Sequence, residues 1–483
     1  MAERRISSGE QDMLFGITDS IHHGRANVAY VLLSLIFILS RVALAVAGLR
    51  FSLSLDWMWM ADPIDLRARL AETLYYFHAF PPGMNLLTGL LLKAAPSDPG
   101  QLAHLVFAAM GLGLVNLMFA LGRRVGLSQR AAFLAAAAFA LLPADIYFEH
   151  LYLYELPVTT LLCLAAVLFH RAVRRPATSA WLAFFATCAV IGLTRSTFHL
   201  IWFAAMAALA LWVTTVGARR QVLVAVLAPL LLLVGVYGKN LALFGEFAAS
   251  TFGPASFHLV TVARLPVEVR DRWIADGTLS PFAAISAYAP PREYLPFFAT
   301  SEHAGWPPQL TRLEHPSVKA ANFNHWFLLE VHRARRQDAL HYVRARPWDY
   351  AQNVVAGLGD LFRPSTEWHP RTGTGGSPHA QHRQILGAYE RGYNGLVHGF
   401  PIAPFGLYVF LPLVWLWGAW RTAALARGGA EDRARGALLL FCLFQILYVI
   451  AASSMLTFLE ESRYRFQVEP MIWLVTTLCV TTR

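Results

Sequence analysis

The chain has 483 residues, 56% hydrophobic and 14% charged, with a formal net charge of +10. A soluble chain normally carries about a quarter charged residues, so the composition excludes an ordinary soluble protein. The basic residues are dispersed between apolar runs, which argues against nucleic-acid binding and for topological signals and contact with anionic lipid.

The first 26 residues are polar and read as a cytoplasmic tail. Asn27–Leu49 follows with one charge, Arg41, and reads as a retained anchor, because a cleaved signal peptide would turn apolar sooner. Apolar runs of about 20 residues match the bilayer thickness. On that basis ten spans are expected, at 27–49, 103–121, 131–147, 156–170, 179–194, 197–216, 221–242, 401–420, 437–456 and 468–482. The expected class is an all-α polytopic membrane protein. Residues 27–245 form a transmembrane module with a first outer loop at 50–102. Residues 246–397 form a small, mostly helical extracytoplasmic domain, and 398–483 hold the closing transmembrane helices. Within the first loop, Pro63–Tyr76 and Gly83–Ala95 are expected as helices lying on the membrane surface. Asn324–Phe362 is expected to be helical and broken near Pro347. Cys163, Cys188, Cys442 and Cys479 all fall inside apolar runs, so no disulfide framework is expected.

Short loops set the orientation. Arg123, Arg124 and Arg130 follow the second span; Arg171, Arg174 and Arg175 the fourth; Arg219 and Arg220 the sixth; Arg421, Arg427, Arg433 and Arg435 the eighth. Arg-rich loops stay inside, which places both termini in the cytoplasm and the two long segments outside a plasma (inner) membrane. On that outer face lie Asp56, Asp62, Asp65, Glu72, His78, Glu149, His150, Glu155, Arg195, His199, Lys239, Glu460, Glu461, Arg463 and Arg465. Ionisable residues at a membrane face are costly and serve a site more often than packing. Carboxylates can take a proton from a hydroxyl or hold a divalent cation, while Arg and Lys can hold a phosphate. Structural uses compete. Asp62-Pro63 is a good helix N-cap followed by an N1 proline, Arg463 and Arg465 can pair with Glu460 and Glu461, and Arg195 can snorkel to the interface.

Five motifs, in order, resemble those of the GT-C superfamily of polyprenyl-phosphate-sugar-dependent glycosyltransferases, nearest its protein-mannosyltransferase, aminoarabinose-transferase and Rgt-type branches. The first loop supplies DPIDLRARLAETLYYFHAFPPGMNLL, with Asp62, Asp65 and His78 before Pro81-Pro82. The second element is YFEHLYLYELPVTTLL, with Glu149, Tyr154 and Glu155. GLTRSTFHL holds Arg195, KNLALFGEFAASTFG holds Lys239, and EESRYRFQVEP holds Glu461, Arg463 and Arg465. The likeness covers about 27–260 and 400–483. An adjacent Asp-Glu pair common in protein mannosyltransferases is absent; Asp62 and Asp65 stand three apart instead.

The resemblance implies a GT-C-like fold and a membrane glycosyltransferase. Its partners would be a polyprenyl-phosphate sugar donor, a glycan, lipid or protein acceptor, and the bilayer. Asp62 or Asp65 would act as base. Arg195, Lys239, Arg463 and Arg465 would bind the donor phosphate, and His78, Glu149, Tyr154, Glu155 and Glu461 would line the site. Transfer would be inverting, in one displacement. No cofactor is assigned; a divalent cation on the carboxylates is left open. The rival readings are a transporter or flippase, which needs charges along a path through the bilayer, and a ligase of lipid-linked glycans, which would gather its basic and His residues in one large outer loop.

Overall fold

The computed structural model describes residues 8–298, 305–367, 378–397, 406–458 and 460–482; these fold as helices joined by turns, with no β-strand among them. In chain order the helices of the first half are α1 (Ser8–Val46), α2 (Pro63–Ala68), α3 (Leu70–Tyr75), α4 (Gly83–Ala94), α5 (Pro99–Val125), α6 (Gln129–Ala140), α7 (Pro143–Glu149), α8 (Glu155–Arg174), α9 (Thr178–Thr194), α10 (Leu200–Val213) and α11 (Arg219–Phe244). The second half has α12 (Gly253–Val260), α13 (Val267–Ala275), α14 (Pro308–Thr311), α15 (Phe327–Ala345), α16 (Pro347–Asp360), α17 (Pro378–Val397), α18 (Leu411–Leu425), α19 (Ala430–Leu456), α20 (Glu461–Phe466) and α21 (Glu469–Thr481).

Five of these are long and apolar enough to cross a membrane: Asn27–Val46 within α1, α5, α8, Val216–Phe244 around α11, and α19. The α6–α7 pair makes a sixth if counted as one span, bent by 56°. The bend falls at Leu142, whose ψ of 128° leaves the helical region just before Pro143, as a residue preceding proline tends to do. Helices α9, α10 and α21 are apolar but shorter, and α18 has 15 residues. Residues 401–405 of the expected span 401–420 lie outside the described residues. The membrane class therefore stands, with five or six helices of crossing length.

The expected helix at 63–76 is two helices, because Arg69 turns out of helical geometry (φ −134°) and its guanidinium reaches back to Asp65. The expected break near Pro347 falls at Arg346, again the residue before a proline. Packing is tightest along α5–α8–α9–α11, with α6 closely packed on α5 and α18 on α19, and Phe107, Phe169, Trp181, Trp202 and Phe441 are fully buried in this core. Segment 246–397 has its own cores, one around Phe252, Tyr294 and Phe327 and another around Val262 and Tyr342. It sits directly on segment 50–102. Asn324 Oδ1 accepts from the backbone N–H groups of His78 and Ala79 at 2.8 and 3.1 Å, and Asn324 Nδ2 donates to Tyr76 O at 3.0 Å. The two long segments thus occupy the same end of the bundle.

Candidate functional site

A buried gathering of charge is built by three separated stretches. Helix α8 begins at Glu155, α9 ends against Arg195, and α20 carries Arg463. Glu155 is fully buried, and Arg195 and Arg463 nearly so. Arg195 Nη1 donates to Glu155 Oε1 at 2.9 Å, and Arg463 Nε lies 3.1 Å from the same oxygen. Arg463 Nη2 pairs with Glu460 at 2.8 Å and donates to the Tyr154 hydroxyl at 3.3 Å. The Arg195 guanidinium is sandwiched between the rings of Tyr154 and Tyr464, 4.0 and 4.2 Å from their centroids. Such cation–π stacking fixes a guanidinium plane without using its N–H groups. Two polar atoms of this knot are buried and unpartnered: Glu155 Oε2 and Arg195 Nη2. A buried polar group left unpaired costs about 1–3 kcal/mol, so the knot holds one donor and one acceptor that a ligand can satisfy.

Tyr464 also walls a cavity of about 490 Å³. The rest of its lining comes from the α9–α10 turn (Ser196, Thr197, His199), the far end of α11 (Tyr237), the following loop (Phe247, Ser250), α12 (Ser256) and the end of α19 (Leu456, Thr457). Its walls are apolar surface set with hydroxyls. Ile201 and Phe247 are largely exposed and Leu456 partly so, which leaves an apolar rim. A volume of this size, mostly apolar with a few convergent polar groups, suits an amphiphilic ligand.

The two first-loop aspartates are elsewhere. Asp62 is the N-cap of α2, accepting from Ile64 N at 2.8 Å and from the Ser317 hydroxyl at 2.9 Å. Asp65 is held by Arg69 at 2.7 Å and Arg312 at 3.2 Å. Both are buried, and they line a closed cavity of about 10 Å³ with Thr73, Gln309, Arg312 and His315, enough for roughly one water. Neither lines the larger cavity. Trp59 lies between the two places, three residues before Asp62, with its ring 5.5 Å from that of Tyr154.

The remaining candidates have structural partners. His78 is fully buried; its Nδ1 lies 2.8 Å from Thr251 Oγ1 and its Nε2 3.1 Å from Asn324 O. A carbonyl can only accept, so Nε2 carries the proton. Burial, with Lys239 nearby, lowers the His78 pKa to about 3, so the ring is neutral. Lys239 Nζ donates to Phe77 O at 2.6 Å and Leu74 O at 3.4 Å, which ties α11 to the end of α3. Arg465 is fully engaged by Glu469 (2.9 Å), Ser365 (2.9 Å) and the carbonyls of Leu361 and Arg363. Glu149 belongs to a separate buried triad in which Arg41 pairs with Glu149 at 2.7 Å and Asp145 at 2.9 Å. The Glu461 side chain lies outside the described residues.

The structure therefore brings together Tyr154, Glu155, Arg195 and Arg463, and leaves Asp62, Asp65, Lys239, Arg465, His78 and Glu149 in other contacts. Sequence reasoning missed Tyr464 and the hydroxyls of the cavity. Tyr464 sits beside two flagged arginines, which was a usable signal; Ser196, Thr197 and Ser256 carry none. Among the described residues no group of three His, Cys, Asp or Glu side chains gathers as metal ligands. Comparison with protein families, with characterised proteins and with solved structures finds no match for this chain.

Proposed function

We propose that this protein is a membrane glycosyltransferase that moves a sugar from a polyprenyl-phosphate-linked donor to an acceptor hydroxyl on the extracytoplasmic face. The observation that carries this reading is the Arg195–Arg463 pair beside the hydroxyl-lined cavity. The apolar rim suits a prenyl chain, the hydroxyls suit a sugar, and the unpartnered Arg195 Nη2 needs an acceptor such as a phosphate oxygen. The five-motif resemblance points the same way. The fold proposed is GT-C-like, with ten membrane-embedded segments in which the shorter helices α9, α10, α18 and α21 and the bent α6–α7 pair complete the count, and with both termini inside.

In the proposed reaction the acceptor oxygen attacks the anomeric carbon while the bond to the phosphate oxygen breaks. The leaving phosphate gains one negative charge, which Arg195 and Arg463 stabilise. The proton lost by the acceptor goes to a first-loop aspartate, Asp62 or Asp65. For either to act, its contact with Ser317 or Arg312 has to open toward the larger cavity. A polyprenyl phosphate leaves readily, so acid assistance matters less than in glycoside hydrolysis.

The test is in vitro transfer by the purified, reconstituted protein with a panel of polyprenyl-phosphate sugars. Arg195→Ala and Arg463→Ala are expected to lower kcat/KM by 100-fold or more, in the range seen when one transition-state donor is removed, roughly 10²–10³. Asp62→Asn and Asp65→Asn separate the two candidate bases. Full transfer by both would end the base assignment, and consumption of no donor would end the transferase reading.

A further inference from the structure

Helix α16 is built with its polarity reversed. A helix on the surface of a soluble domain turns polar residues outward. On α16 the outward face instead carries Trp348, 73% exposed, and Val355, 66% exposed. Ala356 is exposed beside them, Ala351 and Leu358 flank the face half-buried, Gln352 is the polar side chain on it, and Asp349, paired with Arg346, stands at its edge. The spacing 348, 352, 355 sets these residues along one side. The inward face is polar. Asn353 Nδ2 donates to Val260 O and to the Tyr342 hydroxyl, both at 3.0 Å. The Tyr350 hydroxyl donates to Met455 O at 2.9 Å, and the buried Asp360 pairs with Arg363 at 3.3 Å.

The Tyr350 bond fixes the level of α16 along the bundle. Met455 and Leu456 are the last two residues of α19, one of the five helices of membrane-crossing length. Their side chains are 48% and 42% exposed, as is Leu447 at 51% two turns earlier. Helix α16 is therefore tied by its inward face to the end of α19, at the level where that helix stops and exposes Met455 and Leu456. Arg344 and Arg346 precede α16, Arg346 pairing with Asp349 at 3.0 Å, and Arg363 after it pairs with Asp360, so the net positive charge is at the N-terminal end, on Arg344.

We propose that α16 lies in the lipid headgroup layer at the end of α19, with its Trp348–Val355 face docked on the membrane. The partner is a lipid surface. Tryptophan is enriched at that depth, the apolar face reaches the acyl boundary, and Arg344 at the N-terminal end meets a phosphate. A second protein would be met by a mixed surface with satisfied polar groups, not by a mainly apolar stripe headed by an exposed tryptophan at the end of a helix of membrane-crossing length. The placement does not rest on the transferase reading, but it has a consequence for it. The 490 Å³ cavity takes Ala452, Leu456 and Thr457 from the same end of α19, so its mouth stands at headgroup depth, where a phosphate-bearing lipid can enter without leaving the bilayer.

The test is quenching of a polarity-sensitive fluorophore on Val355→Cys. The background is Cys479→Ser, because Cys163, Cys188 and Cys442 are buried. The full-length protein is reconstituted in phosphatidylcholine–phosphatidylglycerol vesicles. The control is Val267→Cys on α13, 54% exposed. The expected result is strong quenching of the Val355→Cys label by headgroup-nitroxide lipid and several-fold weaker quenching by aqueous iodide, with the reverse order at Val267→Cys. Iodide reaching both positions equally would overturn the proposal. So would shielding of Val355→Cys from both quenchers, which would mean a protein covers the face. Gln352→Cys, on the same face, serves if Val355→Cys fails to fold.

Discussion

Two guanidiniums share a single carboxylate oxygen at Glu155, and this geometry makes a prediction that does not depend on any substrate. Removing one partner of a buried ion pair costs about 3–5 kcal/mol, because the other charge is left behind. Glu155→Gln keeps the shape and deletes the charge, leaving Arg195 with no carboxylate and Arg463 with Glu460. Its melting temperature should fall, and added farnesyl phosphate should restore it by more than it raises the wild type. A fall without phosphate rescue would mean that the arginines form a structural network and not an anion site. His78 gives a pH prediction. Its folded pKa, about 3, lies below the ordinary value of 6.5. The unfolded chain then takes up a proton that the folded chain refuses, so the stability present above pH 6.5 is lost as pH falls. Between pH 7 and 5 the loss is about 2 kcal/mol. His78→Asn should weaken the acid sensitivity of thermal unfolding by that amount; equal sensitivity in both proteins would refute a neutral, buried His78. At this scale the sequence was legible where a charge stood out from apolar neighbours, as Glu155 and Arg195 do. It was not legible where a charge is satisfied by backbone carbonyls, as with Lys239 at Leu74 and Phe77, because carbonyls leave no mark in a sequence.

Prolines made the element boundaries readable in part. Pro347 marked the break before it, while the break before Pro143 falls unmarked inside the span expected at 131–147, although both prolines force the preceding residue out of helical geometry. The break at Arg69 has no such marker in the sequence. Span lengths were harder. Helices α9 and α10 share one continuous apolar run, and their boundary is set by the turn at Arg195, whose guanidinium is drawn into the tyrosine sandwich. The start of α4 is pressed on the end of α9 at Gly83. A Cβ there would stand 2.7 Å from Leu193 O and 2.9 Å from Thr194 Oγ1. A backbone carbonyl cannot step aside as a flexible side chain can, so Gly83→Ala should destabilise by about 1–3 kcal/mol. Gly113→Ala, in the middle of α5 where a Cβ meets nothing within 4 Å, should be neutral or stabilising by up to about 1 kcal/mol. Thermal unfolding of the pair in the same detergent checks this; equal effects would show that α4 does not pack on α9 as closely as described.

At the scale of the whole molecule, the gathering of the two long segments at one end was legible, because the arginine-rich loops alternate with them. How they hold each other was not, because the partners lie about 250 residues apart. Asp65 is the centre of that contact. It takes Arg69 from its own segment and Arg312 from the other, with its own side chain 7% exposed and the arginines 39% and 38% exposed. The asymmetry ranks the outcomes. Arg312→Ala removes a half-exposed partner while Arg69 still neutralises Asp65, so its cost is that of a screened pair, about 1 kcal/mol or less. Asp65→Asn leaves two guanidiniums facing each other across a buried position and costs more. The residues that Asp65 holds in place border the stretch 305–317, so the effect should appear there first, as faster limited proteolysis at that stretch, before global unfolding changes. In the double variant the second substitution should cost less than it does alone, because the arginine it strands is gone. Strict additivity would mean that Asp65 and Arg312 are neighbours without coupling. The junction of the two segments would then rest on the Asn324 hydrogen bonds to Tyr76, His78 and Ala79, and Asn324→Ala would loosen 305–317 where Asp65→Asn did not.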